Sequence, residues 1–221
     1  MAYESRLGDT FYMARTQASD FNDRREFIIE RALQLYAEKG FLGASVADLA
    51  SACKTSKSLI YHYFPSKEDI LFEAMDSHIK TLSNAASSIA ATDTAPADKL
   101  RALIHAFMHL YVGAAARHKV LINELYHLPP NRRDIIVGRQ RRLIQLVVDL
   151  VAEIQPQLKT RPEMMRPVAM LFYGMLNWTH TWFDPKGPAT VDTIAELMGD
   201  LMIGGLKTLP TMPAAPKRPK R

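Results

Sequence analysis

The sequence has a single cysteine, Cys53, so it forms no internal disulfide and no cysteine-based metal cluster. No apolar run approaches the roughly 18 residues that a bilayer-spanning helix needs, and the N-terminal residues lack the apolar core of a signal peptide. A Gly-rich phosphate loop, a Gly-x-Ser-x-Gly elbow, a Cys-x-x-Cys pair and an internal repeat are also missing. These absences predict a cytoplasmic protein with no membrane partner and give no support to an enzyme.

Excess charge is scarce outside the C-terminus. The net charge is +5, but four basic residues lie in the final PKRPKR, and without them 24 basic residues face 23 acidic ones. A nucleic-acid surface would therefore require a local basic cluster. The proline- and lysine-rich tail, residues 210–221, is predicted to be disordered.

Helical spacing of apolar residues dominates, and strand-like alternation is missing, which predicts an all-α fold. The first helix should have its N-cap at Asn22 and end at Gly40. Residues 91–98, ATDTAPAD, form a turn-rich break that separates two domains. Further helices are predicted at about 97–116, 119–127, 131–155, 163–183 and 190–208.

The segment KTSKSLIYHYFPSK, residues 54–67, places aromatic rings among lysines and hydroxyl side chains. It follows a short helix capped by Ser45 with Asp48 three residues later, a capping-box arrangement. Two short helices so close together are typical of a helix-turn-helix, whose second helix enters the DNA major groove. The alternative is a helical hairpin in which Tyr61 and Phe64 are core and the lysines are only solvated.

Residues 24–71 strongly resemble the N-terminal DNA-binding domain of the TetR family of transcriptional regulators. The matching positions are Ser45, Val46, Leu49, Ala50, Ser56, Ile60, Tyr61, Phe64, Lys67 and Glu68. The family usually has glycine in the turn, where this chain has Lys54. If the turn needs a left-handed residue, Lys54 is strained by about 1 kcal/mol; alternatively, it adds a cation near a phosphate.

The resemblance implies roles for individual side chains. Base-edge or groove contacts are expected from Thr55, Lys57, Ser58 and His62. Phosphate contacts are expected from Ser45, Tyr61, Tyr63 and Lys67. Ser56 lies at the start of the recognition helix, where backbone N–H groups and the helix dipole favour phosphate. Ile60 and Phe64 should hold the recognition helix in place, and a core position for Tyr61 remains an alternative.

The resemblance also implies the domain organisation. It comprises a flexible extension (1–21), the DNA-binding domain (22–67), a helical effector-binding and dimerisation domain (68–209) and the basic tail (210–221). The expected partners are double-stranded operator DNA, a small-molecule effector and a second copy of the chain. A repressor released from a palindromic operator by its effector is the expected function, with no cofactor.

The last two predicted helices should form the homodimer contact. Their apolar positions are Val168, Leu171, Phe172, Met175, Trp182, Ile194, Leu197, Met198, Leu201 and Met202. The alternative is that these residues form core within one chain. An effector cavity is expected to be lined by Phe107, Met108, Tyr111, Tyr126, Tyr173, Asn177 and Trp178, although each residue is also a plausible core position.

Within the family, the segment SKSLIYHYFPSKED resembles repressors of phenylacetate or fatty-acid catabolism, whose effectors are CoA thioesters. Arg139, Arg141 and Arg142 form a basic cluster that suits either a solvated face or an anionic effector.

Two other function classes remain as alternatives. His105 and His109 lie four residues apart, as ligands in a metal-binding or enzymatic bundle would, but Ala106 replaces the glutamate of a zincin. Glu124 and His127 form one Glu-x-x-His step, whereas a di-iron bundle needs two. The third class is a helical adaptor that binds no DNA.

Overall fold

The computed structural model describes residues 4–209, with side chains from residue 20 onward. In this part of the chain every regular element is helical, which confirms the all-α prediction. The helices are α1 (Glu4–Gly43), α2 (Val46–Ala52), α3 (Lys57–Tyr63), α4 (Lys67–Ala90), α5 (Pro96–Gly113), α6 (Ala115–Asn123), α7 (Pro130–Ile154), α8 (Pro162–Trp182) and α9 (Val191–Thr208). None of these described helices has both the length and the hydrophobicity needed to cross a bilayer. The predicted disordered tail, 210–221, lies outside the described residues.

Helix α1 begins much earlier than the sequence indicates. The predicted N-cap at Asn22 is wrong, because Asn22 lies inside a helix that already starts at Glu4. No proline interrupts residues 4–43, so the chain contains no strong helix breaker there. The predicted end at Gly40 is confirmed as a kink, with φ 73° and ψ 162°, a conformation that glycine adopts far more readily than other residues.

The helix boundaries of the C-terminal half are confirmed to within a few residues. Pro96, Pro130 and Pro162 stand at the first positions of α5, α7 and α8, where a missing N–H costs nothing and the fixed φ suits a helix. The helix predicted at 119–127 is instead α6, which starts at Ala115, followed by a 3₁₀ turn at Leu125–His127.

The described residues form two compact units. The first consists of the residues up to His78 together with Ala116–Asp134, and the second of Ile79–Ala115 together with the residues from Ile135 onward. The unit boundaries therefore fall within α4, at the start of α6 and near the start of α7. The turn at residues 91–98 lies inside the second unit, between α4 and α5.

In the first unit, α1 packs against α2, and α2 packs against α3. The core is formed by side chains that are almost completely buried, among them Ile28, Leu33, Ile60, Phe64 and Leu71. Burying each such side chain stabilises the fold by roughly 1.5–3 kcal/mol. In the second unit, α5 packs against α8 and α9, around Leu100, Leu103, Phe107 and Phe172.

Candidate nucleic-acid interface

A tight turn joins α2 to α3. The N–H of Lys54 donates to the carbonyl oxygen of Ser51 (3.0 Å), and the N–H of Thr55 donates to that of Ala50 (2.9 Å). These two hydrogen bonds form a Schellman motif, which requires a left-handed residue directly after the helix. Lys54 occupies that position with φ 51°, the only described non-glycine residue with positive φ. A left-handed conformation at Lys54 is therefore confirmed, while its cost in stability and a phosphate contact by its side chain remain predictions.

Both short helices have serine N-caps, and the one at Ser45 confirms the sequence prediction. In α2 the N–H of Asp48 donates to Ser45 Oγ (3.1 Å), and the N–H of Ser45 donates to the Asp48 carboxylate (2.8 Å). Hydrogen bonds from the Ser45 side chain and backbone lower the pKa of Asp48 below its usual value. In α3 the N–H of Leu59 donates to Ser56 Oγ (3.1 Å). Each cap stabilises its helix by about 1 kcal/mol.

Helix α3 has one buried side and one accessible side. Ile60 and Phe64 are each only 1% exposed, which confirms that they hold the helix against the rest of the unit. Tyr61 is 50% exposed, so it is not the core residue of the alternative interpretation. Thr55 and Tyr63 are half-buried. The exposed candidate residues are Ser45, Ser56, Lys57, Ser58, Tyr61 and His62.

Arg25 of α1 holds the C-terminal end of α3. Its Nη1 donates to the carbonyl oxygen of Tyr63 (2.6 Å), and its Nη2 pairs with the carboxylate of Glu73 in α4. The guanidinium also lies over the ring of Phe64, 4.3 Å from the ring centroid. One side chain therefore links α1, α3 and α4.

Aromatic contacts fix the last turn of α3. The ring of Tyr63 packs against Phe21 of α1 with centroids 4.8 Å apart, and His62 meets Tyr63 edge-on at 5.3 Å. These contacts explain part of the aromatic enrichment in this segment, because one ring anchors the helix while its neighbour stays exposed.

Lys67 is directed into the unit. Its Nζ donates to the carbonyl oxygen of Phe41 and lies 4.0 Å from the centroid of the Phe41 ring. Burial lowers the pKa of the Lys67 ammonium. In the structure this lysine contacts the end of α1. The sequence analysis instead predicts that it contacts a phosphate.

The residues predicted to line an effector cavity divide into two groups. Phe107, Met108, Tyr111 and Tyr173 are buried in the second unit, where the Phe107 ring lies 5.8 Å from Tyr111 and 6.3 Å from Tyr173. The hydroxyl of Tyr173 donates to the carbonyl oxygen of Leu143 (2.9 Å). Burial raises the pKa of Tyr111 and that of Tyr173.

The remaining cavity candidates are not part of this cluster. Tyr126 is 81% and Trp178 65% exposed, so neither side chain lines an enclosed cavity in this chain, and both assignments are corrected. Trp178 lies on α8, whose opposite side is buried, and Tyr126 lies on the 3₁₀ turn that follows α6. Asn177 is half-buried on α8.

His105 and His109 converge on one carboxylate of α9. Asp192 Oδ1 lies 2.7 Å from His109 Nε2 and 3.4 Å from His105 Nδ1. In the described part of the chain, no group of three potential ligands could hold a metal ion. The two histidines therefore connect α5 to α9.

Two family profiles match this chain. Residues 28–74 match the family profile described as "Bacterial regulatory proteins, tetR family". Residues 93–206 match the profile "Tetracyclin repressor-like, C-terminal domain". This chain belongs to the TetR family.

Relatives of known structure or function support the assignment. The chain is 24% identical over 201 residues to the HTH-type transcriptional repressor KstR2 of Mycolicibacterium smegmatis, covering 88% of this chain and 96% of that one. A TetR-family regulator from Bordetella parapertussis 12822 superimposes with a TM-score of 0.79 at 32% identity, covering 80% and 93%. The structure of AibR in complex with isovaleryl coenzyme A and operator DNA is similar at a TM-score of 0.72 and 26% identity, covering 80% and 97%.

Helices α8 and α9 of this TetR-family chain expose a row of large apolar side chains. Of the predicted dimer residues, Val168, Phe172, Met198 and Met202 are buried within the chain and thus belong to its own core. The exposed members are Leu171, Trp182, Leu197 and Leu201, joined by Met170 and Trp178. An apolar face of this kind marks an interaction surface.

The sequence did not reveal two arginines that organise the first unit. Arg25 is described above; Arg117 of α6 pairs with Glu26 and Glu30 of α1, and its Nη1 donates to Ser77 Oγ (2.8 Å). Their partners are tens of residues away along the chain, so no local pattern indicates them. The only available signal was a basic residue within an otherwise apolar helix face.

Proposed function

We propose that this chain is a ligand-responsive transcriptional repressor that binds a palindromic operator as a homodimer. The observation that carries the proposal is the accessible side of α3. It presents Lys57, Ser58, Tyr61 and His62 while Ile60 and Phe64 are buried. A short helix fixed on one side and polar on the other is what major-groove recognition requires.

Within this proposal the contacts divide by chemistry. Thr55, Lys57, Ser58 and His62 meet base edges in the groove, whereas Ser45, Ser56, Tyr61 and Tyr63 contact phosphates. We leave Lys67 out of the interface, because its ammonium already donates to Phe41. The DNA-binding part spans 22–67, and the effector-binding and dimerisation part spans 68–209.

The exposed apolar row on α8 and α9 supports dimerisation through these helices. Two copies would bury Leu171, Trp178, Leu197 and Leu201 in a four-helix contact. Dimer symmetry matches a palindrome whose half-sites lie about 34 Å apart.

The proposed effector is an acyl- or aryl-CoA thioester, supported by the similarity to AibR, whose structure contains isovaleryl coenzyme A. The proposed binding site of the acyl group is the buried cluster of Phe107, Met108, Tyr111 and Tyr173, with Asn177 nearby on α8. Because α4 contributes residues to both units, an effector that favours one position of α4 changes the spacing of the two recognition helices. The chain then acts by binding alone, in the cytoplasm, without a cofactor.

The proposal is tested by fluorescence anisotropy with the DNA that flanks the protein's own gene, in excess competitor DNA. The test includes a panel of acyl- and aryl-CoA thioesters. If the protein binds this DNA specifically and one thioester releases it, both the repressor function and the effector class are supported. Specific binding that no thioester affects removes the effector class and keeps the DNA-binding regulator. Absence of specific binding overturns the proposal.

A further inference from the structure

A cleft of about 320 Å³ lies between α7 and the first turns of α8. Its apolar surface comes from Ile144, Val148 and Met165, and Arg141 and Arg166 contribute its charges. The lining contains no carboxylate. The cleft therefore combines apolar surface with two guanidinium groups from different helices, an arrangement that suits a flat or apolar group carrying negative charge.

Both arginines are available to a ligand. Among the described residues, Arg25, Arg101, Arg117, Arg132 and Arg161 are examples of arginines that pair with carboxylates. Arg141 and Arg166 are both exposed, and no ion pair of either is described. Unpaired guanidinium groups beside apolar surface bind phosphate through paired N–H groups in a planar fork, which lysine cannot reproduce.

A second cleft bordered by α7 differs in charge and serves as an internal comparison. It has a volume of about 380 Å³, and its charged residues are Lys99, Arg142, Asp149 and Glu153. Two cations and two anions balance there, and Lys99 Nζ donates to the carbonyl oxygen of Ala90 (3.0 Å). Of the two clefts, only the one with Arg141 and Arg166 has an excess of positive charge.

We propose that the cleft between α7 and α8 binds the phosphate groups of the effector, with Arg141 and Arg166 holding them from opposite sides. This inference rests on the proposed effector class and names the part of the molecule that the cleft takes. A volume of 320 Å³ is at the small end of ligand pockets, so it suits the nucleotide end of a thioester and leaves the acyl chain outside. Gln145, which also lines the cleft, adds an amide for hydrogen bonds.

The test is calorimetric titration of the full-length protein with free coenzyme A, with pantetheine, which lacks the phosphates, and with inorganic pyrophosphate. The variant is Arg141→Gln/Arg166→Gln, and the matched control is Arg142→Gln/Lys99→Gln, which removes two positive charges from the balanced cleft. Two lost charge-assisted contacts should weaken coenzyme A binding on the order of 100-fold, and the control should stay within about threefold of wild type. Pantetheine binding should be the same in all three proteins.

The outcomes separate this inference from the proposed function. Equal weakening in variant and control, or unchanged binding in the variant, overturns the cleft as the phosphate site even when a thioester releases the operator. If the wild type binds no coenzyme A but binds pyrophosphate, and only Arg141→Gln/Arg166→Gln loses it, the effector class fails and the anion site stands. If the wild type binds neither probe, the inference is overturned.

Discussion

Arg25 Nη1 donates to the carbonyl oxygen of Tyr63 across 2.6 Å, so a side chain of α1 closes the C-terminal end of the recognition helix. The same guanidinium pairs with Glu73 and covers the Phe64 ring. A seven-residue helix has little stability of its own. Its position relative to DNA therefore depends on such tertiary contacts.

Arg25→Ala should lower the free energy of unfolding by about 2 kcal/mol, because it removes a charge-assisted hydrogen bond and leaves the Tyr63 carbonyl oxygen unpaired. Urea denaturation measures the loss. The control is Arg31→Ala, which removes another guanidinium from the same helix. The only hydrogen bond described for Arg31 is the one that it donates to Gln34. Equal stability of the two variants would refute the role assigned to Arg25.

Lys54→Gly should raise the free energy of unfolding by up to about 1 kcal/mol, because glycine adopts φ 51° without the steric cost that lysine has there. Urea denaturation tests this, with Lys57→Gly, inside α3, as the control that should destabilise. If the Lys54 ammonium also contacts a phosphate, the slope of log K for operator binding against log salt concentration should become less steep by about one in the variant. A less stable Lys54→Gly variant would contradict the strain assigned to the turn.

The buried His78 should make the protein less stable in mild acid. Burial, assisted by the nearby Arg117 charge, lowers the pKa of His78 from 6.5 to about 4. Between these two pKa values the unfolded chain takes up a proton that the folded chain does not. The free energy of unfolding is therefore unaffected by His78 above pH 6.5 and falls progressively from pH 6.5 down to pH 4. The loss between pH 7.5 and pH 5 should be about 2 kcal/mol.

Urea titrations across this range with wild type and His78→Gln measure the contribution of this group. The variant can be less stable at every pH, so the informative quantity is the slope of stability against pH, which should be smaller for His78→Gln. His118 Nδ1 lies 3.4 Å from His78 Nε2, so His118→Gln is the second variant that separates the pair. Identical slopes for wild type and His78→Gln would show that another group is responsible.

Leu201→Arg should convert the dimer to a monomer, because it places a charge in the exposed apolar face of α8 and α9 without disturbing the core of the chain. Sedimentation velocity measures the change, and operator affinity should fall with it. Tyr126→Arg is the control, since Tyr126 is even more exposed but lies in the first unit. A dimeric Leu201→Arg variant would place the interface elsewhere.

The sequence predicts local features of this protein well. The Ser45 cap, the Gly40 kink and the proline-marked starts of α5, α7 and α8 all depend on residues within one or two turns, so the local sequence determines them. The start of α1 was missed because no breaker separates residues 4–21 from the amphipathic stretch that follows.

Tertiary features are less predictable. Lys67 matches the family pattern, but its direction towards Phe41 depends on how α1 and α4 pack. Likewise, Phe172 and Trp178 lie on one apolar helix and differ only in which side faces the core. The sequence analysis placed Phe172 in the dimer contact and Trp178 in the effector cavity, whereas the packing buries Phe172 and leaves Trp178 exposed.

The most direct test of α3 as the recognition helix is a competition titration that compares Lys57→Ala and His62→Ala with wild type. The probe is the DNA flanking the protein's own gene, and Lys186→Ala, an exposed lysine outside α3, is the control. Both α3 variants should lose discrimination between this DNA and base-substituted versions by about 1–3 kcal/mol, while Lys186→Ala should bind as wild type does. Unchanged discrimination in both α3 variants would contradict the assignment of α3 as the recognition helix.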